Sequence, residues 1–73
     1  MALTLIVNGQ ERELPGVDPG ASLAAVIGEL GLKADRIAVE RNGEIARRGS
    51  WDDVRMVAGD KLEVVHFVGG GSW

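Results

Sequence analysis

The chain has 73 residues, a formal net charge of -3, 45% hydrophobic and 26% charged residues, which is enough for one globular domain but too little for a deep catalytic pocket with its own supporting shell. It has no cysteine, which excludes disulfides, thiolate nucleophiles and cysteine-ligated metals. It also has no Lys/Arg run interleaved with aromatics, which argues against nucleic acid as the principal partner, whereas an acidic surface suits docking onto a basic partner.

The opening MALTLIVNGQ lacks a basic n-region and a long apolar core, so no signal peptide is expected, and every apolar run is far shorter than a membrane span. A soluble cytoplasmic protein, without membrane association, is the expectation. Leu3 to Val7 is a β-branched and leucine run that predicts a strand. Asn8-Gly9 predicts a tight hairpin, because both residues tolerate positive φ in a type I′ turn. A return strand over Glu11 to Leu14 ends at Pro15-Gly16, and PGVDPGAS reads as loop. Ser22 is placed to cap a helix. Leu23, Val26, Ile27 and Leu30 then recur as one apolar stripe, and Gly31 sits where a left-handed residue ends helices. Gly28, inside that helix, costs about 1 kcal/mol against alanine and would be explained by close approach to a sheet or by simple tolerance.

Ile37 to Glu40 predicts a third strand, Asn42-Gly43 a second tight turn, and Glu44 to Ala46 a short return strand. RRGSWDDV is a polar connection whose Trp51 lies over a core edge. Ala58 to Asp60 is a turn, and Lys61 to Val68 is the strongest strand signal in the chain. One helix against one sheet gives a two-layer α+β domain. If the last strand pairs parallel with the first in mid-sheet, the topology is by analogy the ubiquitin-like β-grasp, with four to five strands in a mixed sheet. Residues 1–68 form this single domain, and 69–73 a flexible glycine tail.

No side-chain constellation supports catalysis. His66 is the only histidine, lies in a strand and has no second ligand, so a structural role is expected. Asp52 and Asp53 are adjacent and suit capping of a short helical turn starting near Ser50 better than a shared metal. Asp60 follows Gly59 in a turn, where its side chain bonds nearby backbone N–H groups. Arg47, Arg48 and Arg55 form a small basic cluster that reads as solvated surface. Ser22 has no base partner, and no phosphate-cradling glycine motif precedes a helix. No metal or cofactor is implied.

What remains is the end of the chain. IAVERNGEIARRGSW followed by AGDKLEVVHFVGGG resembles the ThiS family of sulfur carrier proteins of thiamin biosynthesis. The resemblance runs over nearly the whole chain, and is carried by Asn42-Gly43, Arg48, Trp51, Gly59-Asp60 and the terminal glycines. It implies a β-grasp fold and a C-terminal diglycine, here Gly70 and Gly71, whose carboxylate a ThiF-type enzyme adenylates with ATP. A sulfur relay fed by a cysteine desulfurase then makes the thiocarboxylate, and thiazole synthase takes the sulfur. The carrier would be a protein co-substrate rather than an enzyme, working as a monomer. A side-chain-free tail suits threading into an enclosed site that keeps water from an acyl adenylate. An amide at Gly71 cannot be adenylated, so Ser72-Trp73 would have to be removed first.

Strand alternation puts Leu3, Leu5, Val7, Leu62 and Val64 on the helix-covered face. Ile6, Val65 and Phe67 then share the opposite face as an apolar patch near the tail, a candidate contact for the activating enzyme. Two alternatives share these features: a carrier for molybdopterin or another sulfur pathway, and a ubiquitin-like binding module or protein modifier.

Overall fold

The computed structural model describes residues 1–67. Five strands and one α-helix follow in the order β1 (Leu3–Val7), β2 (Gln10–Leu14), α1 (Leu23–Glu29), β3 (Ile37–Arg41), β4 (Glu44–Ala46) and β5 (Lys61–His66), with single turns of 3₁₀ helix at Ala34–Arg36 and Arg48–Ser50. The two Asn-Gly pairs make the hairpin turns expected of them. Asn8 and Asn42 take φ of 50° and 52°, and Gly9 and Gly43 φ of 81° and 86°, the paired positive values that a type I′ turn demands.

The helix is short because its ends are written into the sequence. Ser22 Oγ accepts the Ala25 N–H at 3.0 Å. At the far end Gly31, at φ 75°, turns the chain so that its own N–H reaches the Gly28 carbonyl and that of Leu32 the Ile27 carbonyl. That pair of bonds is a Schellman stop. A Cβ on Gly28 would meet nothing within 4 Å, so close approach to the sheet does not explain this glycine.

The sheet order is β2-β1-β5-β3-β4. β5 runs parallel to β1 and antiparallel to β3, which is the mixed ubiquitin-like β-grasp arrangement. Leu3, Leu5, Val7, Leu62 and Val64 are all buried, together with Leu23, Val26 and Ile27 from the helix stripe. Two further core residues come from the long connection before β5. Trp51 is 4% exposed and donates its indole N–H to the Ala46 carbonyl at 2.9 Å, so it plugs the core rather than lying over its edge. Met56 is fully buried because its N–H bonds the Ala21 carbonyl while its own carbonyl accepts the Gly20 N–H, tying the connection to the helix entry.

Strand bounds differ slightly from expectation: β2 starts at Gln10, β3 runs to Arg41, and β5 ends at His66, before Phe67, where the expected strand ran on to Val68. The short helical turn spans Arg48–Ser50, so it ends at Ser50 instead of starting near it, and neither Asp52 nor Asp53 caps it. Asp52 instead offers its main-chain carbonyl to Arg55 at 2.8 Å. The expected tail, with Gly70 and Gly71, lies outside the described residues, as does the domain limit at residue 68.

Candidate functional site

β5 is the last strand among the described residues, and its two ends are built differently. At its start, Asp60 is 6% exposed and its carboxylate is fully engaged. Oδ2 accepts the Val57 N–H at 2.9 Å and Arg41 Nε at 3.2 Å, while Oδ1 accepts Asn42 Nδ2 at 3.1 Å. Burial alone would raise the Asp60 carboxyl. The Val57 N–H, the Asn42 amide and the Arg41 guanidinium outweigh it and hold the group below its ordinary value. Asn42 also accepts the Lys61 N–H on its side-chain oxygen and donates its own N–H to the Lys61 carbonyl. The second hairpin turn thus grips the first residue of β5.

The first hairpin turn grips the middle. β1 pairs with β5 only at Ile6–Lys61 and Val7–Leu62, and then the chain turns away. The Asn8 side chain takes over where β1 stops: its oxygen accepts the Val64 N–H at 2.7 Å and its amide donates to the Val64 carbonyl at 3.2 Å. One side chain here supplies the pairing of a strand residue.

Beyond Val64 the support thins. The bonds from Asn42 N–H to the Lys61 carbonyl and from Phe67 N–H to the Arg36 carbonyl show that odd-numbered residues of β5 bond toward β3. His66 lies opposite Ile37 in a non-bonded pair, so its main-chain groups turn to the side where β1 has ended. β4 also stops at Ala46, short of Ile37 and Ala38. Phe67, 46% exposed, therefore stands between two hollows. One, of about 330 Å³, is floored by Ile37, Val39 and Trp51 and rimmed by Asp35, Arg47 and Arg48. The other, of about 260 Å³, is lined by Gly31, Leu32, Lys33, Arg36 and His66.

A model of the ThiS family matches residues 5–71. The chain belongs to the ThiS family. Among solved structures it is similar to the crystal structure of the thiamine biosynthesis protein ThiS from Geobacter metallireducens, at 30% identity and a TM-score of 0.79, covering 94% of this chain and 100% of that one. The solution structure of a thiamine biosynthesis protein from the same organism gives 29% identity and a TM-score of 0.77, covering 97% of this chain and 91% of that one. Two curated relatives are both named thiazole synthase. One, from Paramagnetospirillum magneticum, is 43% identical over 70 residues, 96% of this chain and 21% of its own. The other, from Magnetococcus marinus, is 39% identical over 65 residues, 89% of this chain and 19% of its own. The chain thus spans about a fifth of the length of these curated relatives.

Seen in three dimensions, the described residues among those that carried the ThiS resemblance hold the fold together. Asn42, Gly59 and Asp60 brace the start of β5, Trp51 fills the core, and Arg48 Nη1 reaches the Ala34 carbonyl at 3.4 Å, joining the two 3₁₀ turns. Of the expected docking patch, Val65 and Phe67 lie two residues apart at the end of β5, with Val65 61% exposed. Ile6 is half-buried on the same face but pairs with Lys61, four residues and about 13 Å along the strand from Val65. Ile45, 77% exposed, stands opposite Glu40 and is a nearer apolar neighbour that alternation on β5 alone did not reveal.

One expectation about side chains does not hold. The Arg47, Arg48 and Arg55 cluster is split: Arg55 bonds the Asp52 and Gly20 carbonyls and accepts Arg41 Nη2 on its own carbonyl, at the start of β5. His66 is exposed at the last position of β5. Among the described residues, no cluster of three or more His, Asp or Glu could hold a metal, and no helix is long and apolar enough to cross a membrane.

Proposed function

We propose that this chain carries sulfur on the C-terminal carboxylate of Gly71 in thiamin biosynthesis, acting as a protein co-substrate. The observation that carries the reading is the family match, which ends at Gly71, combined with a β5 whose last residues pair with β3 alone, the β1 pairing having ended at Leu62.

In this reading a ThiF-type enzyme brings the carboxylate to ATP. A carboxylate oxygen attacks the α-phosphorus, pyrophosphate leaves, and the acyl carbon gains AMP as a leaving group. The terminal sulfur of a persulfide, supplied by a relay from a cysteine desulfurase, then attacks the acyl carbon and displaces AMP to give an acyl disulfide, and a thiol cleaves the S–S bond, releasing the thiocarboxylate and forming a disulfide. Thiazole synthase is the acceptor, supported by the two similar proteins of that name. Residues 1–68 act as the recognised globule and 69–73 as the arm. Removal of Ser72-Trp73 precedes charging, since an amide offers no carboxylate oxygen. Val65 and Phe67, with Ile6 farther along the same face, supply the apolar contact with the activating enzyme.

Intact-mass spectrometry of the protein from its host, grown under thiamin limitation, tests this. The expected result is one species ending at Gly71 and a second heavier by the exchange of one oxygen for sulfur. A uniform mass retaining Ser72-Trp73, in cells that still make thiamin, would sink the proposal in favour of a docking module.

A further inference from the structure

The charge of this molecule is not spread evenly. Half of its eight Lys and Arg residues, Lys33, Arg36, Arg47 and Arg48, line the two hollows that meet at Phe67, and Asp35 is the only carboxylate among the lining residues. The other four cations share the rest of the molecule with ten carboxylates. Among the described residues the ion pairs are Met1–Asp18 and Arg41–Asp60, so none of the four cations around Phe67 has an ion-pair partner among the described residues. The acidic total suggested a basic partner, but the surface nearest the tail has the opposite sign.

We propose that Lys33, Arg36, Arg47 and Arg48, set around Phe67 at the root of the tail, dock against an acidic protein surface that rims the entrance through which the adenylating enzyme receives that tail. This inference rests on the sulfur-carrier reading and identifies the partner chemistry at the same site. The reach of the chain selects a protein surface over the nucleotide. Gly71 lies four positions after Phe67, and a tail drawn out to enter an enclosed site puts about 13 Å between them. ATP phosphates engaged at Gly71 therefore lie beyond the four cations, which face the wall around the entrance. The unpaired cations also mean that the partner need not displace an internal salt bridge. Opposite charge at an entrance accelerates encounter and orients it, and the apolar floor beside Phe67 adds the contact that holds the complex.

The test measures binding of the full-length chain to its host's ThiF-type enzyme by stopped flow and calorimetry. The triple variant Lys33→Glu/Arg36→Glu/Arg47→Glu is compared with Arg12→Glu, an exposed cation on β2. Arg48 is left in place because of its bond to Ala34. The triple reversal is expected to weaken binding on the order of 100-fold, mostly through the association rate. Arg12→Glu should change it less than about threefold, and wild-type binding should weaken steeply with salt. Circular dichroism checks the fold of each variant. If the reversal variant does not fold, the corresponding triple glutamine variant replaces it, with a loss on the order of tenfold. Equal affinities for wild type and triple variant would overturn the proposal and leave the carrier reading standing. An unchanged protein affinity with weaker ATP binding by the complex would overturn it in favour of a nucleotide contact. A wild-type chain that fails to bind the enzyme at any salt concentration would remove the carrier reading and this inference together.

Discussion

The two ends of β5 contrast more sharply than any other pair of regions in the molecule. At the start, β1 and β3 flank the strand, and Asp60 is held by Val57, Arg41 and Asn42. At the finish, β1, β4 and α1 have all stopped, and one described main-chain bond, from Phe67 to Arg36, continues the ladder past His66. Stabilising contacts concentrate where the strand enters the sheet, and unpaired charge and exposed apolar surface where it leaves. The sulfur-carrier role proposed above, in which the terminus is presented to another active site, would use that division. Braces placed at the exit would have to be undone at every encounter, whereas braces at the entry fix where the tail emerges.

Removing the brace at the start should have the largest effect. Asp60→Ala leaves the Val57 N–H, the Asn42 amide and the Arg41 guanidinium without their common acceptor, and should cost about 2–4 kcal/mol in urea unfolding. Binding to the adenylating enzyme, measured well below the melting temperature, should stay close to wild type. The same carboxylate sets an acid limit. Its pKa is lower in the folded protein, so its contribution is complete above the unfolded value of about 3.9 and disappears as pH falls through the lowered folded value. Wild-type stability should therefore fall below about pH 4, and Asp60→Asn should lower stability at neutral pH while flattening that fall. A fall of equal steepness in Asp60→Asn would place the acid limit elsewhere.

The middle clamp comes next. Asn8→Gly keeps the positive φ that the turn requires and removes both side-chain bonds to Val64, so it isolates the clamp from the turn. The expected loss is about 1–2 kcal/mol, accompanied by faster hydrogen exchange at the Val64 amide. Unchanged exchange there would mean that the Asn8 side chain does not substitute for the missing strand.

Local signals made most of this architecture legible. The two Asn-Gly turns, the Ser22 cap, the Gly31 stop and the alternation of β1 and β5 each express a short-range rule, and the fold obeyed all of them. The misreadings involve residues whose neighbours are distant in sequence. Asn8 looked like a turn residue, and its grip on Val64 depends on a partner 56 positions away. Arg55 looked like part of an arginine cluster, but the core-seeking Trp51 and Met56 on either side pull that segment toward the helix entry. Lys33 and Arg36 carried no motif at all; they join Arg47 and Arg48 only because the Schellman turn and the end of β5 meet. Net charge was the least informative quantity, since it averaged two regions of opposite sign.

Gly28→Ala tests whether the exit end has stability in reserve. The site is exposed and open, with nothing within 4 Å of an added Cβ, so the change should stabilise by about 0.5–1 kcal/mol through the glycine's lost freedom in the unfolded chain. Partner binding should not change, because the helix turn beside Lys33 keeps its geometry. A destabilised variant would show that the last turn of α1 is under a constraint that its surroundings do not reveal.

The smallest effect lies between the two ends, on the open face of the sheet. Glu40 and Glu63 stand directly opposite one another, and the bonding pattern of β5 makes them a hydrogen-bonded pair with Cα atoms about 5.5 Å apart. Both are exposed, and like charges so placed repel. Glu63→Gln should raise stability by a few tenths of a kcal/mol at low ionic strength, and the gain should shrink toward zero as salt approaches about 1 M. Lys61 shares this face one pleat away from Glu63 and offsets part of the repulsion. The gain should therefore grow when Lys61→Gln is already in place, and a double-mutant cycle reads that difference directly. A cycle showing no coupling would mean that the face is screened by solvent and that its charges are independent. A clear coupling would mean that the acidic face is a stability cost retained in the fold, in contrast to the cations at the exit, which stand unpaired without an opposing like charge across a strand.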